Sequence, residues 1–174
     1  MSDSGITSTT YGASCYTPTH TTISSPDTYP DSPPTLSLSL PVAHETFIIR
    51  HPHLNLVITL KDDNLRLHPL DITNTNCHWR VIETASGWLG FRNIQSDTFI
   101  RHNNSWDWKF LADVKHHSLW EYFSTRPAPD GRHELLVKHW FGFRAMRVGG
   151  EGGRELLVAQ EGEKGVAWEF IKVG

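Results

Sequence analysis

The stretch Trp88-Leu89-Gly90-Phe91-Arg92-Asn93, answered further on by Leu119-Trp120-Glu121-Tyr122-Phe123, decides the fold, because both halves recur on either side of it. Upstream stand Phe47-Ile48-Ile49-Arg50-His51 and Cys77-His78-Trp79-Arg80-Val81-Ile82; downstream stand Leu135-Leu136-Val137-Lys138-His139 and Ala167-Trp168-Glu169-Phe170-Ile171. From basic residue to tryptophan the separations are 29, 28 and 30 residues, counting Arg50 to Trp79, Arg92 to Trp120 and Lys138 to Trp168. The units themselves repeat after 42 and then 46 residues, so the chain carries an internal threefold repeat.

Between these anchors lie short runs of Ile, Val, Leu, Phe, Trp and Thr broken by Asp, Asn, Gly and Pro, which read as strands and turns rather than amphipathic helices. The first unit predicts strands near 46–51, 54–60, 65–68 and 78–83, with Lys61-Asp62-Asp63-Asn64 as a turn. The second predicts 88–93, 98–102, 107–112 and 119–124, with Asn103-Asn104-Ser105 as the matching turn. The third predicts 134–139, 143–148, 154–159 and 167–173, with its turn at Gly149–Gly153, where glycine takes positive φ freely. Four strands in each of three units make a twelve-stranded β-trefoil. One unit cannot bury its apolar face alone; closing three around an axis supplies the missing partners and removes free edges. Alternation nominates twelve core residues: Phe47, Ile49, Leu89, Phe91, Leu135 and Val137 on the first strands, and Trp79, Val81, Trp120, Tyr122, Trp168 and Phe170 on the fourth.

The pattern resembles the fascin-like and ricin-B-like β-trefoils, whose repeats also close on a strand carrying a tryptophan. The segments Gly87–Asn93 and Ala167–Val173 also look like a group of small fungal trefoil proteins. The resemblance covers roughly residues 45–174 and implies binding of sugars, proteins or actin, usually without chemistry. The ricin-type Gln two residues before the tryptophan is replaced here by Cys77, Ser118 and Val166.

The trefoil is expected over residues 44–174, after a tail at 1–43. Of the first 42 residues 18 are Ser or Thr, six are Pro, and the charges are Asp3, Asp27 and Asp31 alone, a composition too poor in large apolar groups to offset backbone ordering. The tail is expected to be disordered and solubilising, and Ser25-Pro26 and Ser32-Pro33 would suit proline-directed kinases. It has neither the basic start nor the apolar core of a secretory signal. Two cysteines, Cys15 and Cys77, make no disulfide framework, so a reduced, cytoplasmic, monomeric protein is expected. No apolar run is long enough to span a membrane. Net charge is −3, three of it in the tail, so the rest is neutral and lacks the basic surplus of a nucleic-acid binder.

Antiparallel pairing of first and fourth strands predicts ion pairs Arg92–Glu121 and Lys138–Glu169, each contributing about 0.2–1 kcal/mol. Arg50 would then meet Arg80, and that unit would either be compensated by Glu45 or Glu83, the favoured reading, or bind an anion. Eleven histidines show no metal-binding spacing, and His51, Asn93 and His139 share one repeat position, a polar slot at a strand end. No metal or cofactor is expected.

Function is sought in what does not repeat. His102-Asn103-Asn104-Ser105-Trp106-Asp107-Trp108 replaces a plain turn with aromatic rings beside amide and carboxylate groups, the chemistry that stacks on sugar faces and bonds their hydroxyls. His102, Asn103, Asn104, Trp106 and Asp107 are the candidate ligand-binding residues, joined by Trp140 of Trp140-Phe141-Gly142-Phe143. The expected activity is a non-catalytic module for a carbohydrate, small molecule or protein. The alternative is a small auxiliary enzyme, an isomerase or cyclase acting on a hydrophobic metabolite through a histidine such as His102 or His139 with Asp107 or Glu121.

Overall fold

The structure, a computed structural model, describes residues 38–173, so Cys15 and the two Ser-Pro sites lie outside the described residues. Twelve strands follow in order: β1 (Thr46–Arg50), β2 (Leu56–Lys61), β3 (Asn64–Pro69), β4 (His78–Glu83), β5 (Leu89–Asn93), β6 (Phe99–His102), β7 (Phe110–Val114), β8 (Phe123–Pro127), β9 (His133–His139), β10 (Gly142–Gly149), β11 (Glu155–Val158) and β12 (Ala167–Lys172). Six of them close a barrel by antiparallel pairing in the cycle β1–β4–β5–β8–β9–β12–β1. The hairpins β2–β3, β6–β7 and β10–β11 cover one end and are tied to each other by the pairs Arg66–Glu155 and Lys109–Leu157. The expected trefoil is what forms.

The turns follow the local chemistry. Asp62 and Asp63 fill a two-residue hairpin loop with φ of 52° and 60°, and Asn64 Nδ2 donates to the Asp62 carbonyl at 2.7 Å. Short polar side chains tolerate this left-handed backbone and bond it locally. Asn93 fills its polar slot completely: its Nδ2 donates to the carbonyl of Asn76, while its Oδ1 accepts from the Gln95 and Ser96 amides. The ladder also begins before residue 44, since Leu38 bridges Ile171 and the Ser39 amide donates to the Phe170 carbonyl.

Nine of the twelve nominated core residues are fully buried, and Trp79 and Trp168 occupy equivalent places. In the second unit the reading slips. Leu119–Glu121 is a 3-10 turn rather than strand, and β8 starts only at Phe123. Phe123 therefore takes the place expected of Trp120. It is fully buried, edge-on to Phe91 at 5.4 Å, whereas Trp120, Tyr122 and Leu89 are half-buried. The cause is a capping box: Glu121 is buried, and its Oε2 accepts from both the Ser118 amide and hydroxyl at 2.8 Å.

The expected ion pairs are also replaced. Within a unit, β1 meets β4 only over Thr46–Ile48, while its longer partner is β12, which places Glu169 opposite Arg50 with Nε–Oε2 at 2.6 Å. Glu45 pairs with Lys172, and Arg92 with Asp97; Arg80 faces Thr46 on one side and Arg92 on the other, not Arg50.

Phe123→Ala should cost about 3–5 kcal/mol, the scale for emptying a buried aromatic site, and Trp120→Ala clearly less. Urea unfolding of the two variants checks this; equal losses would return Trp120 to the core.

Candidate functional site: an aromatic face around the β9–β10 turn

The loop between β6 and β7 is built by Asn103. Its Oδ1 accepts from the Ser105 amide at 3.1 Å and its Nδ2 donates to Asp107 at 2.5 Å, while its own amide donates to the Lys109 carbonyl. This internal bonding folds the loop so that Trp106 stands out, 89% exposed. Asn104 is exposed beside it at φ 48°. Trp108 turns back into the protein at φ 53°, packs against the main core and meets the His139 ring at 5.0 Å.

On the other side, β9 and β10 join through the two-residue turn Trp140-Phe141. Trp140 adopts φ 47°, where glycine is the usual occupant of such turns. Both rings project outward, Trp140 at 57% exposure and Phe141 at 105%. Two bulky residues held left-handed against their steric preference, Trp108 and Trp140, flank the same histidine.

Beneath them lies a continuous ring cluster. His102 meets Trp120 edge-to-face at 4.7 Å and His139 at 5.3 Å, and Trp120 meets Trp140 at 5.6 Å. The candidate residues thus divide. Trp106, Asn104 and Trp140 are presented outward, Asn103 and Asp107 hold the loop, and His102 is a fully buried support. Trp120, Trp108 and His139 complete the face, and sequence reasoning had assigned Trp120 to the core.

Burial lowers the pKa of both histidines. His102 falls to about 4, first from burial and then from the His139 beside it; His139 is lowered by burial and by Arg144. His102 Nδ1 accepts from the Asn104 amide at 3.2 Å, which places the proton of the neutral ring on Nε2. That atom is buried without a hydrogen-bond partner among the described residues, as is His139 Nε2. An inward neutral ring of this kind supports packing. It is a poor acid or base near neutral pH.

Comparison with family models and with curated proteins returns no match. Solved structures do match. A mosquitocidal holotoxin superposes with TM-score 0.64 at 15% identity over 78% of this chain, which corresponds to 18% of the toxin. The designed threefold-symmetric protein ThreeFoil gives 0.62 at 12% identity, covering 74% of this chain and 99% of its own. A ricin B-like lectin of Macrolepiota procera in complex with lactose gives 0.59 at 12% identity, covering 77% and 98%. The chain has the β-trefoil fold. At these identities the likeness establishes fold alone.

Because the unfolded His102 protonates near 6.5 and the folded ring only near 4, its contribution to stability is complete above pH 6.5 and lost as pH falls through that window. The slope for one such group is about 1.4 kcal/mol per pH unit. His102→Phe should flatten the acid side of the stability profile by about that slope, measured by urea unfolding between pH 4 and 7.

Proposed function

We propose that this trefoil is a non-catalytic carbohydrate-binding module whose ligand meets the aromatic face of Trp106 and Trp140. The observation that carries the reading is the exposure of two indoles on a tightly bonded loop and a strained turn, beside the polar groups of Asn104 and Asp107. Exposed aromatic rings that are grouped on one surface, rather than scattered singly, mark interaction sites. Indole faces suit the CH faces of pyranoses, and adjacent amide and carboxylate groups suit hydroxyls. The lactose complex of the Macrolepiota lectin lends support at the level of fold.

The histidine-based enzyme draws no comparable support. His102 is enclosed by Trp120 and His139, and its pKa near 4 leaves it uncharged at neutral pH.

A glycan array followed by calorimetry on the best ligand tests the proposal. Trp106→Ala should weaken binding by about 1–3 kcal/mol, the range for losing an aromatic anchor, with the melting temperature unchanged. Failure of every glycan to bind, or binding untouched by both Trp106→Ala and Trp140→Ala, would overturn it.

A further inference from the structure

A second line of rings runs from Phe99 of β6, through the segments that precede β8 and β5, to Phe143 of β10, on the face of the β9–β10 hairpin away from His139. Strand alternation separates the two: Val137 and His139 point inward, while Lys138 and its cross-strand partner Phe143 point outward. The Arg92 guanidinium lies 6.0 Å from the centre of the Phe99 ring. Phe99 stacks on His117 at 5.1 Å, His117 meets Tyr122 at 5.3 Å, and Tyr122 lies almost parallel to Trp88 at 5.7 Å and 5°. Trp88 then meets both Phe143, at 5.7 Å, and the Lys138 ammonium, 5.1 Å from its ring centre. Gly90 makes the line possible: a Cβ there would come within 2.6 Å of the His117 ring.

The line ends in positive charge at both extremities. At one, Arg80 and Arg92 face each other directly across β4 and β5, an arrangement that costs stability when nothing lies between them. They line a cleft with Asn93, Ile94 and Asp97. Asp97 is the one acid there and pairs with Arg92; Arg80 is exposed and meets no acid among the described residues. Arg92 Nε is buried without a partner among the described residues. At the other end, Lys138 rests on Trp88 and has no ion pair among the described residues; the neighbouring Glu121 is committed to Ser118. Trp88 immediately precedes β5 and Arg92 lies within it, four residues or roughly 13 Å further along the extended chain.

We infer that this line of rings is a second binding site, for an acidic oligosaccharide whose oxyanion substituents, sulfate ester or carboxylate, engage the Arg80–Arg92 pair at one end and Lys138 at the other. Guanidinium pairs present forked donors that match such oxyanions. The half-exposed Phe143 and the edges of Trp88 and Tyr122 give the sugar ring an apolar strip between the charges. Asp97 compensates Arg92 but leaves Arg80 unpaired among the described residues, and an anion bridging the two guanidinium groups relieves the repulsion that remains. The inference rests on the reading of this chain as a glycan binder, but on different residues.

The test uses the full chain and three probes of equal length: a sulfated tetrasaccharide, a uronate tetrasaccharide and a neutral chitotetraose, titrated by calorimetry at low and high salt. One or both acidic probes should bind, the better of them at least tenfold more tightly than the neutral probe, and the preference should shrink as salt rises. The pattern between the two acidic probes assigns sulfate or carboxylate. Arg80→Gln and Lys138→Gln, both solvent-accessible positions, should each weaken the acidic probe about tenfold without altering the melting temperature. Trp106→Ala should leave it unchanged. Equal binding of acidic and neutral probes, or indifference to either charge substitution, overturns the two-ended site while leaving the Trp106 reading intact. Loss of acidic binding in Trp106→Ala alone transfers that ligand to the loop and also overturns it. Absence of binding by all three probes below 1 mM overturns the second site, and the glycan array then decides the other.

Discussion

Closure of the six-strand barrel is the constraint on which everything else here depends. Each unit supplies two strands to the ring and one hairpin to its end, and none has a core of its own. The large side chains that fill the interior, Trp79, Phe123 and Trp168 with Phe47, Phe91 and Phe170, come from all three units and reach one another only when the ring is complete. Stability is therefore cooperative across the chain, and the loops are released from packing duty. The Trp79 indole donates to the Ile58 carbonyl at 2.9 Å, which fastens the barrel of the first unit to its own hairpin.

The shared frame explains why differences between units carry the functional information. The first unit spends its hairpin turn on two aspartates and the third spends its turn on glycines; the second holds a seven-residue loop around Asn103. The ring cluster forms where Trp108 of this loop meets His139 at the end of β9 in the next unit. The loop is internally bonded and the β9–β10 turn is only two residues long, and both are anchored at each end in β-structure, which restrains the exposed indoles. Rigid presentation reduces the entropy lost when a ligand is bound.

The strands were legible in the sequence wherever the alternation was uninterrupted. β4 falls where expected, residue for residue, because Trp79-Arg80-Val81 alternates cleanly after Cys77. The second unit misleads because Trp120 and Phe123 fit the spacing equally well, at 28 and 31 residues from Arg92 against 29 and 30 in the other units. Ser118-Leu119-Trp120-Glu121 was the available signal: a Ser followed three residues later by Glu marks a capped turn, which moves the strand to Phe123. Trp106 stood out as an aromatic residue in a turn. The backbone of Trp140 and the ring line from Phe99 to Phe143 did not, because they follow from φ angles and from register between strands distant in sequence.

The sorting of tryptophans into separate environments makes the molecule its own optical reporter. Trp79 and Trp168 are sealed in the barrel, Trp106 and Trp140 face water, and Trp88 carries an ammonium over its ring. Emission from the first pair belongs at the blue edge of the spectrum, reports the integrity of the barrel, and is shielded from dissolved quenchers. The exposed pair emits to the red and is open to quenching by collision. Spectra taken with and without a dissolved quencher therefore separate the sealed pair from the exposed pair, with the half-buried Trp88, Trp108 and Trp120 between them.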